Sequence, residues 1–217
     1  MDRERRILDA AAEAFHEKGF HGVGVDAIGT RAGLSGPSLY RHFSGKDEIL
    51  ATLLNEAMDE LMSATVPVYG EPEKDLDRAL HHHVTYALEH RHLVNLYQRD
   101  VRSLAEPWRR PFDRRRAQYI AKWEELLSRR YPGEQRIPAV TQAVLGTIFS
   151  VSYWPPRIVA SIDAAEVLRT LVTCGLRGLD VAPNSSREGI ETAPTGIHPQ
   201  AARAISPPPD TAPGGSR

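Results

Sequence analysis

The chain has 217 residues, with 27 Lys+Arg against 28 Asp+Glu and a formal net charge of −1. That balance excludes a polybasic protein held to nucleic acid by bulk charge. A single cysteine, Cys174, excludes a disulfide framework and any multi-cysteine metal centre.

The opening segment MDRERRILDAAAEAF is charged and lacks an apolar run before a cleavage site, so it does not read as a secretory signal. Ile7, Leu8, Ala11, Ala12 and Phe15 recur at helical spacing and predict a first helix over about 3–18. Gly19 ends it, with Phe20 as the apolar contact beyond. Val25 and Ile28 mark a short second helix that ends at Gly33. Ser35 stands as N-cap of a third short helix, with Pro37 in its first turn, where a missing N–H costs nothing. Asp47 and Glu48 open a helix over about 47–65, which carries paired apolar rows at 49/50, 53/54, 57/58 and 61/62.

Five further helices are expected at about 73–90, 92–104, 107–131, 137–153 and 164–181, separated by Pro107, Pro132–Gly133 and Pro155–Pro156. The longest mostly apolar stretch, Ala143 to Trp154, is interrupted by Thr147, Ser150 and Ser152 and is too short to cross a bilayer. No alternating β-branched run or hairpin signal occurs. The expected fold is all-α, with about nine helices. Residues 183–217 hold seven of the 16 prolines and no aromatic residue, the composition of a disordered tail. The expected divisions are a head over 1–46, a helical body over 47–182 with 47–65 as connecting helix, and a Pro-rich tail over 183–217.

The stretch VDAIGTRAGLSGPSLYRHF, Val25–Phe43, has helix–turn–helix spacing. Gly33 supplies the positive φ of a tight interhelical turn. Ile28, Ala32, Leu34, Leu39 and Phe43 can point inward, which leaves Ser38, Arg41 and His42 outward. A second helix this short and polar suits a reading head, since a major groove roughly 12 Å wide admits one helix.

With ILDAAAEAFHEKGF before it and SGKDEIL after it, this stretch resembles the DNA-binding domain of the TetR family of bacterial transcriptional regulators over Ile7 to Leu54. The resemblance implies that Ser35 caps the recognition helix. It implies base-edge or nearby contacts for Gly36, Pro37, Ser38 and Arg41, and phosphate contacts for Tyr40, His42 and Lys46. Thr30 and Arg31 can reach the DNA backbone. Two positions depart from the family pattern. Gly24 replaces a capping Thr or Ser, and Gly29 replaces Ala, which allows closer helix packing.

The resemblance further implies a homodimer that reads a palindromic DNA operator and is released by a small-molecule effector. Two rows offer a dimer surface, Val140, Val144, Ile148 and Val151, then Val167, Leu168, Leu171, Val172 and Leu176. The sequence does not sort which of these face a second chain and which fill the monomer core. Aromatic residues concentrate in the middle helices. His82, Tyr86, Leu93, Tyr97, Trp108, Phe112, Tyr119 and Trp123 are the candidate ligand-binding set, although such spacing also fits plain core.

Residues 99–130 hold ten Lys+Arg against five Asp+Glu. Arg109, Arg110, Arg114, Arg115 and Arg116 beside Trp108 and Phe112 suit a hydrophobic or amphipathic effector such as an acyl-CoA, and equally a solvated face paired with its acids. Consecutive His81, His82 and His83 point about 100° apart on a helix, so no metal site is expected. No cofactor is implied. No phosphate loop, nucleophile elbow or HExxH motif occurs, so an enzyme is not expected. A cytoplasmic regulator with no membrane partner is. Repressor, co-repressor-dependent regulator and activator are not separated by sequence.

Overall fold

The first helix forms where the apolar stripe predicts it. A computed structural model describes residues 3–161 and 163–181, and α1 runs over Arg3–Lys18 with Ile7, Leu8, Ala11, Ala12 and Phe15 buried. Gly19 ends it at φ 75°, donating its N–H to Phe15 O at 2.8 Å. Phe20 folds back under Phe15, their ring centroids 5.3 Å apart. The chain continues as α2 (Val25–Arg31), α3 (Gly36–Leu39), α4 (Lys46–Ala64), α5 (Pro72–Glu89), α6 (Arg91–Asp100), α7 (Arg109–Arg130), α8 (Ile137–Phe149), α9 (Pro156–Ser161) and α10 (Ala164–Val181). The described residues contain no strand. The expected tail, 183–217, lies outside them. No helix is long and apolar enough to cross a membrane among the described residues.

Three boundaries differ from the sequence expectation. The helix expected over 92–104 ends at Asp100 and gives way to a 3₁₀ turn, Val101–Ser103. The helix expected over 137–153 ends at Phe149, followed by a 3₁₀ turn, Ser150–Tyr153. Its hydroxyls bond backward there, Ser150 to Thr147 O at 2.7 Å and Ser152 to Phe149 O at 2.9 Å, which tightens the last turn. Arg91 donates to Val151 O at 3.0 Å and to Trp154 O, which ties this turn to the start of α6. Finally, Pro156 starts a helix rather than only separating two, because a helix's first residue needs no N–H partner.

The core runs unbroken from α1 to α10. Phe112, Tyr119, Trp123 and Leu127 on α7 are all buried, Trp123 completely. The Trp123 indole N–H donates to His83 Nε2 at 3.3 Å, and His83 Nδ1 lies 2.7 Å from Ala79 O. That pattern requires the neutral His83 tautomer with its proton on Nδ1. Burial pushes its pKa down to about 3.

The apolar rows near the C-terminus sort cleanly. Val144, Ile148, Val151, Leu168, Val172 and Leu176 are buried, while Leu171 is 57% and Val167 38% exposed. A shallow groove of about 190 Å³ between α8 and α10 is lined by Val140, Ala143, Thr147, Leu171, Gly175 and Leu179, among others. Cys174 is exposed on α10.

Candidate nucleic-acid interface and effector cavity

Gly33 adopts φ 68° between α2 and α3, as the tight turn requires. Arg6 on α1 donates to Ala32 O at 2.5 Å and satisfies a carbonyl at the end of α2. Ile28, Ala32, Leu39 and Phe43 are buried beneath the turn, and Leu34 is half-buried. The recognition helix proper is four residues long. Its helical bonding continues past Leu39, since Tyr40 donates to Gly36 O at 3.1 Å and Phe43 to Leu39 O at 3.1 Å.

The surface this builds carries Thr30, Arg31, Ser35, Pro37, Tyr40 and Arg41 exposed, with Gly36, His42 and Lys46 partly so. Tyr40 is 55% exposed, unusual for a side chain of that size. Arg41 makes no ion pair or hydrogen bond among the described residues. Ser38 departs from its expected outward place. It is 8% exposed, turned to the same side as the buried Leu39. Ser35 occupies the N-cap position, but its hydroxyl makes no capping bond, and its carbonyl accepts from Ser38 N at 2.9 Å instead.

The other cations among the expected contact residues, Arg31, His42 and Lys46, already have partners within the head. Arg31 forms a two-pronged pair with Glu17 at 3.1 and 2.7 Å. His42 lies 3.4 Å from Glu4, and the Thr30 hydroxyl donates to Asp26 O at 2.9 Å. Lys46, expected at a phosphate, donates to Phe20 O and Val23 O at 3.2 Å each, with its ammonium 4.6 Å from the Phe20 ring centre. It secures the turn between α1 and α2, which supplies acceptors that the expectation did not weigh. Gly29 proves less constrained than expected. A Cβ there would stand 3.4 Å from Leu34 O, at the edge of ordinary contact.

A small apolar cavity of about 40 Å³ lies between α4, α5, α6, α7 and α8. Of the candidate ligand residues, Tyr86, Leu93, Tyr97, Phe112 and Tyr119 line it. His82, Trp108 and Trp123 do not. Trp123 faces His83 in the core, Trp108 packs half-buried against the core, and His82 is half-buried beside His83. The sequence reading missed Leu54, Met58, Leu61 and Phe149, which complete the wall. The doubled apolar rows on α4 were the signal for Leu54, Met58 and Leu61, because one row faces the core and the other has to face something else. The Tyr119 hydroxyl is buried and has no hydrogen-bond partner among the described residues. Burial pushes its pKa up.

The arginine-rich start of α7 is mostly paired. Arg110 meets Glu106 at 3.1 Å, Arg116 meets Asp113 at 3.6 Å and Arg109 meets Asp113 at 4.0 Å. Arg115 crosses to α4, donating to Asn55 at 2.9 Å and pairing with Asp59. Arg114 is exposed and makes no pair among the described residues.

A helix–turn–helix head on an all-helical body defines the class, a helix–turn–helix regulatory protein. Residues 7–53 match the family described as "Bacterial regulatory proteins, tetR family". That match assigns the head, residues 7–53, to the TetR family. It is 44% identical over 62 residues to the HTH-type transcriptional activator FasR of Mycolicibacterium smegmatis, covering 29% of this chain and 28% of FasR. It is 30% identical over 130 residues to the HTH-type transcriptional repressor KstR2 of Mycobacterium tuberculosis, covering 58% of this chain and 65% of KstR2. The matched region thus spans less than two thirds of either relative.

The solved structure of the TetR-family regulator PfmR from Thermus thermophilus superposes with a TM-score of 0.68 at 27% identity, covering 79% of this chain and 97% of that one. AibR, solved with isovaleryl coenzyme A and operator DNA, shares the fold with a TM-score of 0.68 at 18% identity, covering 79% and 98%.

Proposed function

We propose that this chain is a homodimeric, effector-responsive regulator of transcription that binds an inverted-repeat DNA operator. The observation that carries the reading is the pair Tyr40–Arg41. A large exposed aromatic ring and an uncommitted guanidinium stand side by side where the recognition helix ends. Arg41 is the base-reading residue, since a guanidinium can address guanine O6 and N7 together. Tyr40, Ser35, Pro37 and Thr30 surround it for backbone contacts, with Gly36 leaving room for close approach. Arg31, His42 and Lys46 serve chiefly to hold the head together.

Selection from a random duplex library tests the reading. The expected product is an inverted repeat with half-sites about one helical turn, ~34–36 Å, apart. A pool without a shared motif would refute it.

The effector is proposed to be apolar, with one polar group that meets the Tyr119 hydroxyl. Drug-sized ligands need several hundred Å³ (roughly 300–1,000), so entry must part α6 and α7. Movement of α6 reaches the head directly. Arg99 donates to Phe15 O at 2.7 Å, and Asp100 accepts from Phe20 N at 3.4 Å. An acyl-CoA is the second reading, favoured by Arg114, by Trp108 and by the coenzyme A ester that AibR holds. Release on binding is the proposed sign. Co-repression would reverse the effector's effect on DNA affinity, and activation would reverse the transcriptional outcome of binding.

A further inference from the structure

A second cleft, of about 710 Å³, lies between α1, α4 and the α5–α6 junction. Asp9, Glu13 and Glu17 line it from α1, and Glu56 and Glu60 from α4, with Arg5 as the lining arginine and His16, His90 and His92 as the lining imidazoles. Arg5 answers Asp9 and Glu56 at 2.8 Å each, and Arg31 answers Glu17 and, at 3.7 Å, Glu13. Two guanidiniums thus serve four of the five carboxylates, and the Glu60 carboxylate has no partner among the described residues.

Tyr86 makes a separate demand on the same space. It is only 4% exposed, and its hydroxyl forms no hydrogen bond among the described residues. Its ring lies 4.5 Å from His90, centre to centre. Tyr86 lines the cleft together with Glu56 and Glu60, and burial first, then those carboxylates, push the phenol's pKa up. Its hydroxyl can donate one hydrogen bond to, or accept one from, a ligand group in the cleft.

The occupant's chemistry follows from the walls. Excess carboxylate calls for positive charge. The faces of Tyr86 and His90, with Leu53 and Leu93 nearby, call for an organic body, and a ring face attracts a cation. A bare metal ion fits poorly, because no three His, Cys, Asp or Glu side chains converge among the described residues. We propose that the cleft binds a small organic cation, an amine or amidine, through the Glu60 carboxylate and the Tyr86 hydroxyl. This site is distinct from the apolar cavity, although Ala57, Tyr86 and Leu93 form a wall common to both. Because it straddles α1 and α4, its occupancy is linked to the orientation of the head.

Titration calorimetry of the full chain at fixed ionic strength tests the site, with spermidine, agmatine and benzamidine as probes. Saturable binding of at least one probe is expected. It should weaken roughly tenfold in Glu60→Gln and in Tyr86→Phe, the size of a lost charge-assisted or buried hydrogen bond. Glu125→Gln on the exposed face of α7 should bind as the unaltered chain does. Four results would overturn the proposal. They are no saturation by any probe up to about 10 mM, unchanged binding in both cleft variants, equal weakening in Glu125→Gln, and equal competition by magnesium chloride.

Discussion

Arg5 on α1 donates to Glu56 on α4 at 2.8 Å, which ties the first helix of the head to the helix leading into the body. On the same stretch of α4, Asn55 and Asp59 hold Arg115 of α7. One short segment of α4 is therefore gripped from both sides, by the head and by a helix that lines the apolar cavity.

The two partners of the Arg5–Glu56 pair are 42% and 47% exposed, so its contribution to stability is at most about 1 kcal/mol. Its effect on DNA affinity should be larger, because it orients the head. In an Arg5→Ala/Glu56→Ala double-mutant cycle, thermal unfolding should show little coupling. Operator affinity, measured by fluorescence anisotropy, should show coupling of about fivefold. Additive effects on affinity would mean that the pair does not position the head.

His83 makes stability depend on pH. Its pKa is pushed down to about 3 in the folded chain, against an ordinary value of 6.5. Above that ordinary value both states are neutral and its contribution is intact. As pH falls below it, the unfolded chain takes up a proton that the folded chain refuses, so stability is lost. The expected loss is about 1.4 kcal/mol per pH unit, continuing toward the folded value. Urea denaturation across this range should show the slope, and His83→Gln should flatten it.

Leu171, 57% exposed beside the α8–α10 groove, is the proposed centre of the dimer surface. Leu171→Glu would place a charge in an apolar interface and should convert the chain to monomer in light scattering. Unfolding should change by no more than about 0.5 kcal/mol, as for a surface substitution. An unchanged dimer would move the interface elsewhere.

The helical plan was legible because amphipathic stripes such as Ile7–Phe15 repeat over several turns, and glycines at 19 and 33 mark backbone that only they adopt readily. The turn and its buried residues followed from local spacing. What escaped was nonlocal. No pattern around Lys46 reveals that Phe20 O and Val23 O will receive its ammonium, or that Arg31 will find Glu17 across the head. Ser38 reads as a surface hydroxyl on local spacing, yet it is buried in the packed head. Trp123 and Tyr119 lie four residues apart on one face of α7, yet one fills the core against His83 and the other lines a cavity. Periodicity finds the buried face of a helix, and only the packing of five helices together decides which part of that face is left with space.

Arg41→Ala, titrated against the selected operator and against each single-base variant of its half-site, tests the central claim most directly. The substitution should cost about 1–3 kcal/mol of operator binding and erase discrimination at one base pair in each half-site, while the rest of the motif is still read. Unchanged affinity, or a uniform loss with every base preference intact, would contradict the assignment of Arg41 as the base-reading residue.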